Sequence, residues 1–506
     1  MELCHNDTLL NSPAMQRLAG FIRQSRAAKN MDTRDFERFE SELHTLIMAL
    51  ECELVSEELA RYDVEAEEIE VDGQTYRYTL TSSETYLSAA GPVTVTRHLY
   101  RPPERGSRSI CPLELRAGII NGYFTPRAAR QAAFVMAHLT SGESEALFDE
   151  LEGMCPSRSS LDRIPKELSK HWEPGRIEKE ARLREQETVP SAAVVMALSV
   201  DGVMAPLKGA DLSDKREQAG KHASGPTGYK EVGCGTVVLY GAEAERLQTI
   251  RYARMPEHKK VTLQQQLETE AASILAVRPD LLRIHLADGT KDNWRLLNEI
   301  ETHLPPPSQP PIEIVDFYHA CDHLKNGCDA AWGESTAKGK AQFERLKTLL
   351  KEADDGAEQI IRSLRYRRDR ARGNKRTRLN SELTYFRNQR HRMDYAECLR
   401  QGFPIASGVM EASCKTLVTQ RLKHSGMAWT MPGGQAILTL RSLIQSDRWK
   451  PAWELLRADF HKDVKVRTVT KERKPLSVIA WLSPGSLGQP IQKLGYAQYA
   501  ALPLAA

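Results

Sequence analysis

Residues 192–202 read AAVVMALSVDG, and residues 281–289 read LLRIHLADG. Each is a short apolar run rich in β-branched or aliphatic residues that ends on Asp-Gly, which predicts two buried strands closing at Asp201 and Asp288. Between them, 231–241 (EVGCGTVVLYG) and 247–255 (LQTIRYARM) predict two more strands, and 263–276 (LQQQLETEAASILA) a helix. Beyond them, 292–304 (DNWRLLNEIETHL) predicts a helix, the loop PPPSQPP a break, and 312–318 (IEIVDFY) a last strand. Three strands, helix, strand, helix, strand is the order of an RNase H-type sheet. Its first three strands run antiparallel, and the later ones join in parallel through helical crossovers.

Working outward, residues 16–62 have apolar residues at helical spacing through FERFESELHTLIMALECEL. Residues 66–101 alternate polar and β-branched or aromatic residues, with turns at Asp72-Gly73 and Gly91-Pro92, and predict a small antiparallel sheet. SGESEALFDELEG followed by MCPSRSSLDRIPKELSKHW predicts two helices, the second led by Ser157 or Ser159, in a helix-turn-helix arrangement. Arg158 and Arg163 are then expected near DNA and Lys166 near phosphates. Pro165, inside the second helix, works against that reading. The expected organisation is a helical segment at 1–65, a β module at 66–115, a helical DNA-binding region at 116–188, an α/β catalytic core at 189–333, a basic helical insertion at 334–400, the rest of the core at 401–446, and a tail at 447–506.

The net charge of +3 says little, but its distribution is uneven. From Arg362 to Arg392 the chain is dense in arginine, including Arg367, Arg368 and Arg370, and its only acids are Asp369 and Glu382. Such a block suits a polyanion contact, for which phosphates are the usual partner. The 9 cysteines are scattered with no CxxC pair, which argues against a disulfide framework or a thiolate zinc site and predicts a reduced, cytoplasmic protein. No apolar stretch approaches the ~20 residues of a membrane helix, so no membrane association is expected.

An RNase H-type sheet brings the end of its first strand beside the end of its fourth, here Asp201 beside Asp288. Glu411 is the only acid between Glu397 and Asp447 and begins the amphipathic run MEASCKTLVTQRL. Three carboxylates supply hard oxygen ligands for two Mg²⁺ ions, with Mn²⁺ as a substitute. Such a pair drives in-line displacement at a phosphodiester. Lys415, Arg421 and Lys423 follow Glu411 and are expected to hold the DNA backbone. Asp316, ending the last strand, is the alternative second ligand. His319 and His323 are accessory candidates, although a structural role is the commoner one for a histidine.

The run SGVMEASCKTLVTQRLKHSGMAWT (407–430) resembles the signature of ISKra-type insertion-sequence transposases. SVDGV, LADGTKDNW and DFYHACDHL are similar to further blocks of that family and, more loosely, of the Mutator-like transposases. The resemblance spans about residues 85–445. It implies that Asp201, Asp288 and Glu411 form a DDE triad and that the partners are double-stranded DNA, as terminal inverted repeats and target. It also implies a homodimer or higher oligomer acting at the bacterial nucleoid. The alternatives are a catalytically inactive, transposase-derived DNA-binding protein and an RNase H-like nuclease without strand transfer.

Overall fold

The computed structural model describes residues 12–27, 35–104, 108–209 and 228–467. The rest, including most of the expected tail, lie outside the described residues. Helices α1 (Pro13–Ala27) and α2 (Phe36–Ala60) lead into strands β1 (Glu68–Val71), β2 (Gln74–Ser88) and β3 (Gly91–Arg101). Asp35 caps α2 by accepting from the Arg38 amide. The strands form an antiparallel sheet in the order β3-β2-β1-β9, where β9 (Lys465–Arg467) returns from far along the chain. Helices α3 (Pro112–Ala117), α4 (Pro126–His138), α5 (Ser141–Glu150), α6 (Arg158–Trp172) and α7 (Arg176–Gln186) follow.

The second sheet holds β4 (Val195–Leu207), β5 (Gly228–Tyr240), β6 (Arg246–Arg254), β7 (Leu282–Ala287) and β8 (Ile312–Val315), in the order β6-β5-β4-β7-β8. Strands β4, β5 and β6 pair antiparallel; β7 joins β4, and β8 joins β7, in parallel. Helix α8 (Val261–Val277) connects β6 to β7, and α9 (Lys291–His303) connects β7 to β8. This is an RNase H-like α/β fold, with the strand directions that the apolar runs predict.

One boundary differs. Asp201-Gly202 does not end the first strand, which continues to Leu207 because β5 pairs with it throughout: Asp201 faces Cys234, and Gly202 faces Gly233. Gly202 serves a close approach instead of a turn. A Cβ there would lie 1.9 Å from Glu231 Oε1.

The expected insertion is entirely helical among its described elements: α10 (Phe317–Trp332) leads into α11 (Ala337–Glu352), α12 (Gly356–Asp369), α13 (Gly373–Gln389) and α14 (Tyr395–Arg400). Its apolar residues Leu350, Leu364, Leu383 and Phe386 join the same buried cluster as the sheet residues Leu198, Ile284 and Ile314. The basic insertion is therefore packed onto the core.

Helix α15 (Gly408–Ser413) carries Glu411 and runs into a π-helical stretch, Cys414–Thr419, before a last turn at Gln420–Leu422. Met410, Cys414, Leu417, Val418 and Leu422 recur at helical spacing and pack with Val232, Cys234 and Ala253 of the sheet. Helices α16 (Met431–Gln445) and α17 (Trp449–Ala458) complete the described chain before β9.

Candidate active site

Parallel pairing sets the site's first relation. Val200 pairs with Ala287 and Ala287 with Val315, so Asp201, Asp288 and Asp316 each follow a matched position on three adjacent strands. These three acids have different environments.

Asp201 is half-buried on β4. Its carboxylate accepts from the Gly202 amide at 2.7 Å, and the Cys414 thiol lies 3.6 Å from Oδ2. Burial, reinforced by the charge of Asp288, pushes its pKa above the usual aspartate range; the Gly202 amide, His319 and Cys414 pull the other way. Two carboxylates thus share one neighbourhood, and among the described residues neither forms an ion pair with a cationic side chain.

Asp288 is held by its own loop. Oδ1 accepts from the Thr290 amide at 3.0 Å and from Asn293 Nδ2 at 3.0 Å, and Oδ2 accepts from Thr290 Oγ1 at 2.5 Å. The Trp294 indole donates to the Asp288 carbonyl at 2.6 Å. The Asp-Gly-Thr spacing is the local pattern that favours such a turn, and it was legible in LADGTKDNW. Asn293 also accepts from Lys260 Nζ at 3.1 Å, and Lys260 pairs with Glu231 at 2.7 Å, joining the Asp288 loop to β5. Lys260 adopts left-handed backbone geometry, φ 55°, as does Lys259 before it, a conformation non-glycine residues hold only where surrounding contacts impose it.

Asp316, the alternative second ligand, is buried at 3% exposure and otherwise engaged. It caps α10 by accepting from the His319 amide at 2.9 Å, and its other oxygen accepts from both the amide and the hydroxyl of Ser407. Its role here is to pin the chain just ahead of the Glu411 helix. Asp288 accepts as many hydrogen bonds but is half-buried, so of the two it is the more open to a ligand.

Glu411 lies on the exposed side of α15, and its carboxylate makes no hydrogen bond or ion pair among the described residues. Cys414, one turn later, touches Asp201, so Glu411 lies one helical turn along the chain from that contact. Among the described residues no three His, Cys, Asp or Glu side chains are gathered closely enough to hold a metal ion. The structure brings Asp201 and Asp288 together and leaves Glu411 at their margin. The π-helical stretch begins at Cys414, and such stretches are frequent at functional sites. The donor chemistry, carboxylate oxygens with no cationic side chain paired to Asp201 among the described residues, fits a hard divalent cation.

The histidines divide. His319 is exposed, and its charge acts on Asp201. His323 bonds Glu382 through Nδ1 at 2.6 Å and stacks on the Tyr385 ring with centroids 3.6 Å apart, which is a structural role.

The expected DNA-contacting cations also divide. Arg163, Lys166, Lys415 and Lys423 are exposed, and their side chains make no hydrogen bond or ion pair among the described residues. Arg158 is paired with Glu145 across the α5–α6 connection. That connection spans residues 151–157, longer than a tight turn, and α6 buries Leu161, Ile164, Pro165, Leu168 and Trp172. In the insertion, Arg367 lies 4.6 Å above the Trp332 ring, Arg370 lies 3.6 Å above Tyr366, and Arg368 pairs with Asp369 at 2.6 Å.

Arg421 departs from expectation. It is buried at 3% exposure and donates through Nε to the Met136 carbonyl at 3.2 Å. Burial, with Arg441 nearby, lowers its pKa to about 10. It ties the Glu411 helix to α4 and is not on a DNA-facing surface. An arginine on a basic helix gives no local signal that its face will be covered by a helix from another part of the chain.

The sequence reading also missed Tyr385 and Cys414. Cys414 falls in the apolar stripe of the Glu411 helix and so carried only a core signal; Tyr385 comes from a distant helix and carried no signal.

The sequence matches no protein-family model and no curated protein sequence. Among solved structures, the Drosophila P element transposase strand transfer complex is similar at 13% identity and a TM-score of 0.26, over 67% of this chain and 81% of that one. No helix among the described residues is long and apolar enough to cross a membrane.

Proposed function

We propose that this protein is a DDE-type DNA transposase of an insertion sequence, related to the ISKra type. It binds terminal inverted repeats and cuts and joins DNA strands at Asp201, Asp288 and Glu411. The observation that supports this reading is the Val200–Ala287 register, which leads into Asp201 and Asp288 on adjacent strands of an RNase H-like sheet.

Asp201, Asp288 and Glu411 would hold two Mg²⁺ ions, with Mn²⁺ as a substitute, and these would supply the positive charge that stabilises the attacking and leaving oxygens. The chain's own residues set the geometry. Gly202 and Cys414 orient Asp201, and Thr290 and Asn293 orient Asp288. Asp316 anchors Ser407, so that Glu411 starts its helix from a fixed point. Water attacks phosphorus at the element end and the bond to the 3′ oxygen breaks; the freed 3′-hydroxyl then attacks a target phosphate, releasing an equivalent oxygen. Lys415 and Lys423 flank the site as backbone contacts, and Arg163 and Lys166 face outward from α6. Pairing two element ends requires at least two subunits at the bacterial nucleoid.

The test is cleavage of a labelled duplex carrying the element's terminal repeats in Mg²⁺, comparing wild type with Glu411→Gln. Cleavage at the repeat end, lost in the variant while repeat binding persists, supports the reading. Repeat binding without cutting in Mg²⁺ or Mn²⁺ would instead favour a catalytically inactive DNA-binding protein. That second reading has its own motive, since Glu411 stands apart from the aspartates.

A further inference from the structure

The hydroxyl of Tyr385 is buried and has no hydrogen-bond partner among the described residues. Burying a hydroxyl without a partner is unfavourable, and a phenylalanine would fill the same space without that penalty. The ring cannot swing away to find water. One face stacks on His323 with an interplanar angle of 17°, and His323 is itself held by Glu382. The ring edge lies over Gly289, where a Cβ would come within 2.4 Å of Cε2 and 3.2 Å of Cζ, the carbon bearing the hydroxyl. Gln389, one turn further along α13, donates to the Gly289 carbonyl at 3.1 Å. The insertion therefore clamps the residue that follows Asp288.

Burial raises the pKa of this hydroxyl, and so do the charges of Asp288, Asp316, Glu382 and Asp322, in descending order; it stays protonated and able to donate to a carboxylate. Two of the nearer acids are engaged elsewhere. Asp316 is taken up by the α10 cap and Ser407, and Glu382 by His323. Asp288 and Asp316 each accept three hydrogen bonds, and a carboxylate has room for about four; Asp288 is the one whose own loop, at Gly289, lies against the Tyr385 ring.

We infer that Tyr385 is a positioning residue whose hydroxyl donates to the Asp288 carboxylate when that carboxylate turns to bind a divalent cation, so that the helical insertion helps build the metal site. This rests on the reading of Asp201 and Asp288 as metal ligands.

The experiment compares full-length wild type, Tyr385→Phe, Asp201→Asn and Asp288→Asn. The readouts are the Mg²⁺ concentration giving half the Mg²⁺-induced rise in melting temperature, and the concentration for half-maximal cleavage. Tyr385→Phe should melt at or above wild type without Mg²⁺ and need about tenfold more Mg²⁺ in both assays. An unchanged Mg²⁺ requirement in Tyr385→Phe, with the response lost in both aspartate variants, overturns the inference and leaves the ligand reading standing. A Mg²⁺ response retained in the aspartate variants overturns the ligand reading, and this inference with it. A spectroscopic measurement needs no stable Phe variant: the resonance of an isotope label at Tyr385 Cζ should move on Mg²⁺ addition in wild type and stay still in Asp288→Asn. A resonance that stays still in wild type overturns the inference.

Discussion

Replacing Gly289 with alanine tests the contact that joins the insertion to the second carboxylate. A Cβ built there would lie 2.4 Å from Tyr385 Cε2. Ordinary carbon contacts begin near ~3.5 Å, so ring and loop must separate by roughly 1 Å. The ring cannot yield freely, because His323 stacks on its other face and Phe386 meets it edge-on at 5.5 Å. Overpacking of this kind costs about 1–3 kcal/mol. The displacement falls on the residue after Asp288, and a ~1 Å misplacement at a reacting centre can lower a rate by about a hundredfold. The assay is a double-mutant cycle read by urea unfolding: wild type, Gly289→Ala, Tyr385→Ala and both together. Removing the ring makes room for the new methyl, so Gly289→Ala should cost much less in the Tyr385→Ala background, with a coupling of about 1 kcal/mol or more. Equal costs in both backgrounds would refute the claim that the ring is what constrains Gly289.

Two further outcomes follow from the electrostatics. Asp201 has a raised pKa, so its folded form binds a proton more tightly than its unfolded form. Its stabilising contribution is present at low pH and is lost as pH rises through the folded pKa, which makes the ionised carboxylate a liability near neutrality. Without divalent cations, Asp201→Asn should therefore melt above wild type at pH 7, with the gap closing as pH falls through the carboxylate range. Thermal melts across that range check the sign. Elsewhere, the Arg448 guanidinium is buried at 2% exposure between Glu187, at 2.6 Å, and Glu270, at 2.7 Å, with the Tyr252 hydroxyl at 2.9 Å. Arg448→Met leaves Glu270 buried without its main counter-charge and should cost about 3–5 kcal/mol in urea unfolding. Adding Glu270→Gln should recover part of that loss.

The sheet was legible from local pattern alone. Strand and helix periods are properties of short windows, and the apolar runs of β4 to β8 are long enough to show them. The order of elements then limits the topology, which is why Asp201 and Asp288 could be placed on neighbouring strands from the sequence. The turn holding Asp288 was readable as well, since Asp, Thr and Asn sit within five residues of one another.

What tertiary structure decided depends on residues far apart in the chain. Asp201-Gly202 reads as a strand end, yet pairing with β5 carries the strand onward. Asp316 looks like a third acid at a strand end, and only the approach of Ser407 makes it a cap and a tether. Arg421 reads as a surface cation until α4 brings the Met136 carbonyl over it. Tyr385 is one aromatic on a basic helix until that helix folds back onto Gly289. In each case the environment comes from a partner that no local window contains. Burial and hydrogen bonding across the chain, beyond residue type, set which acids remain open to a cation and which cations remain open to a phosphate.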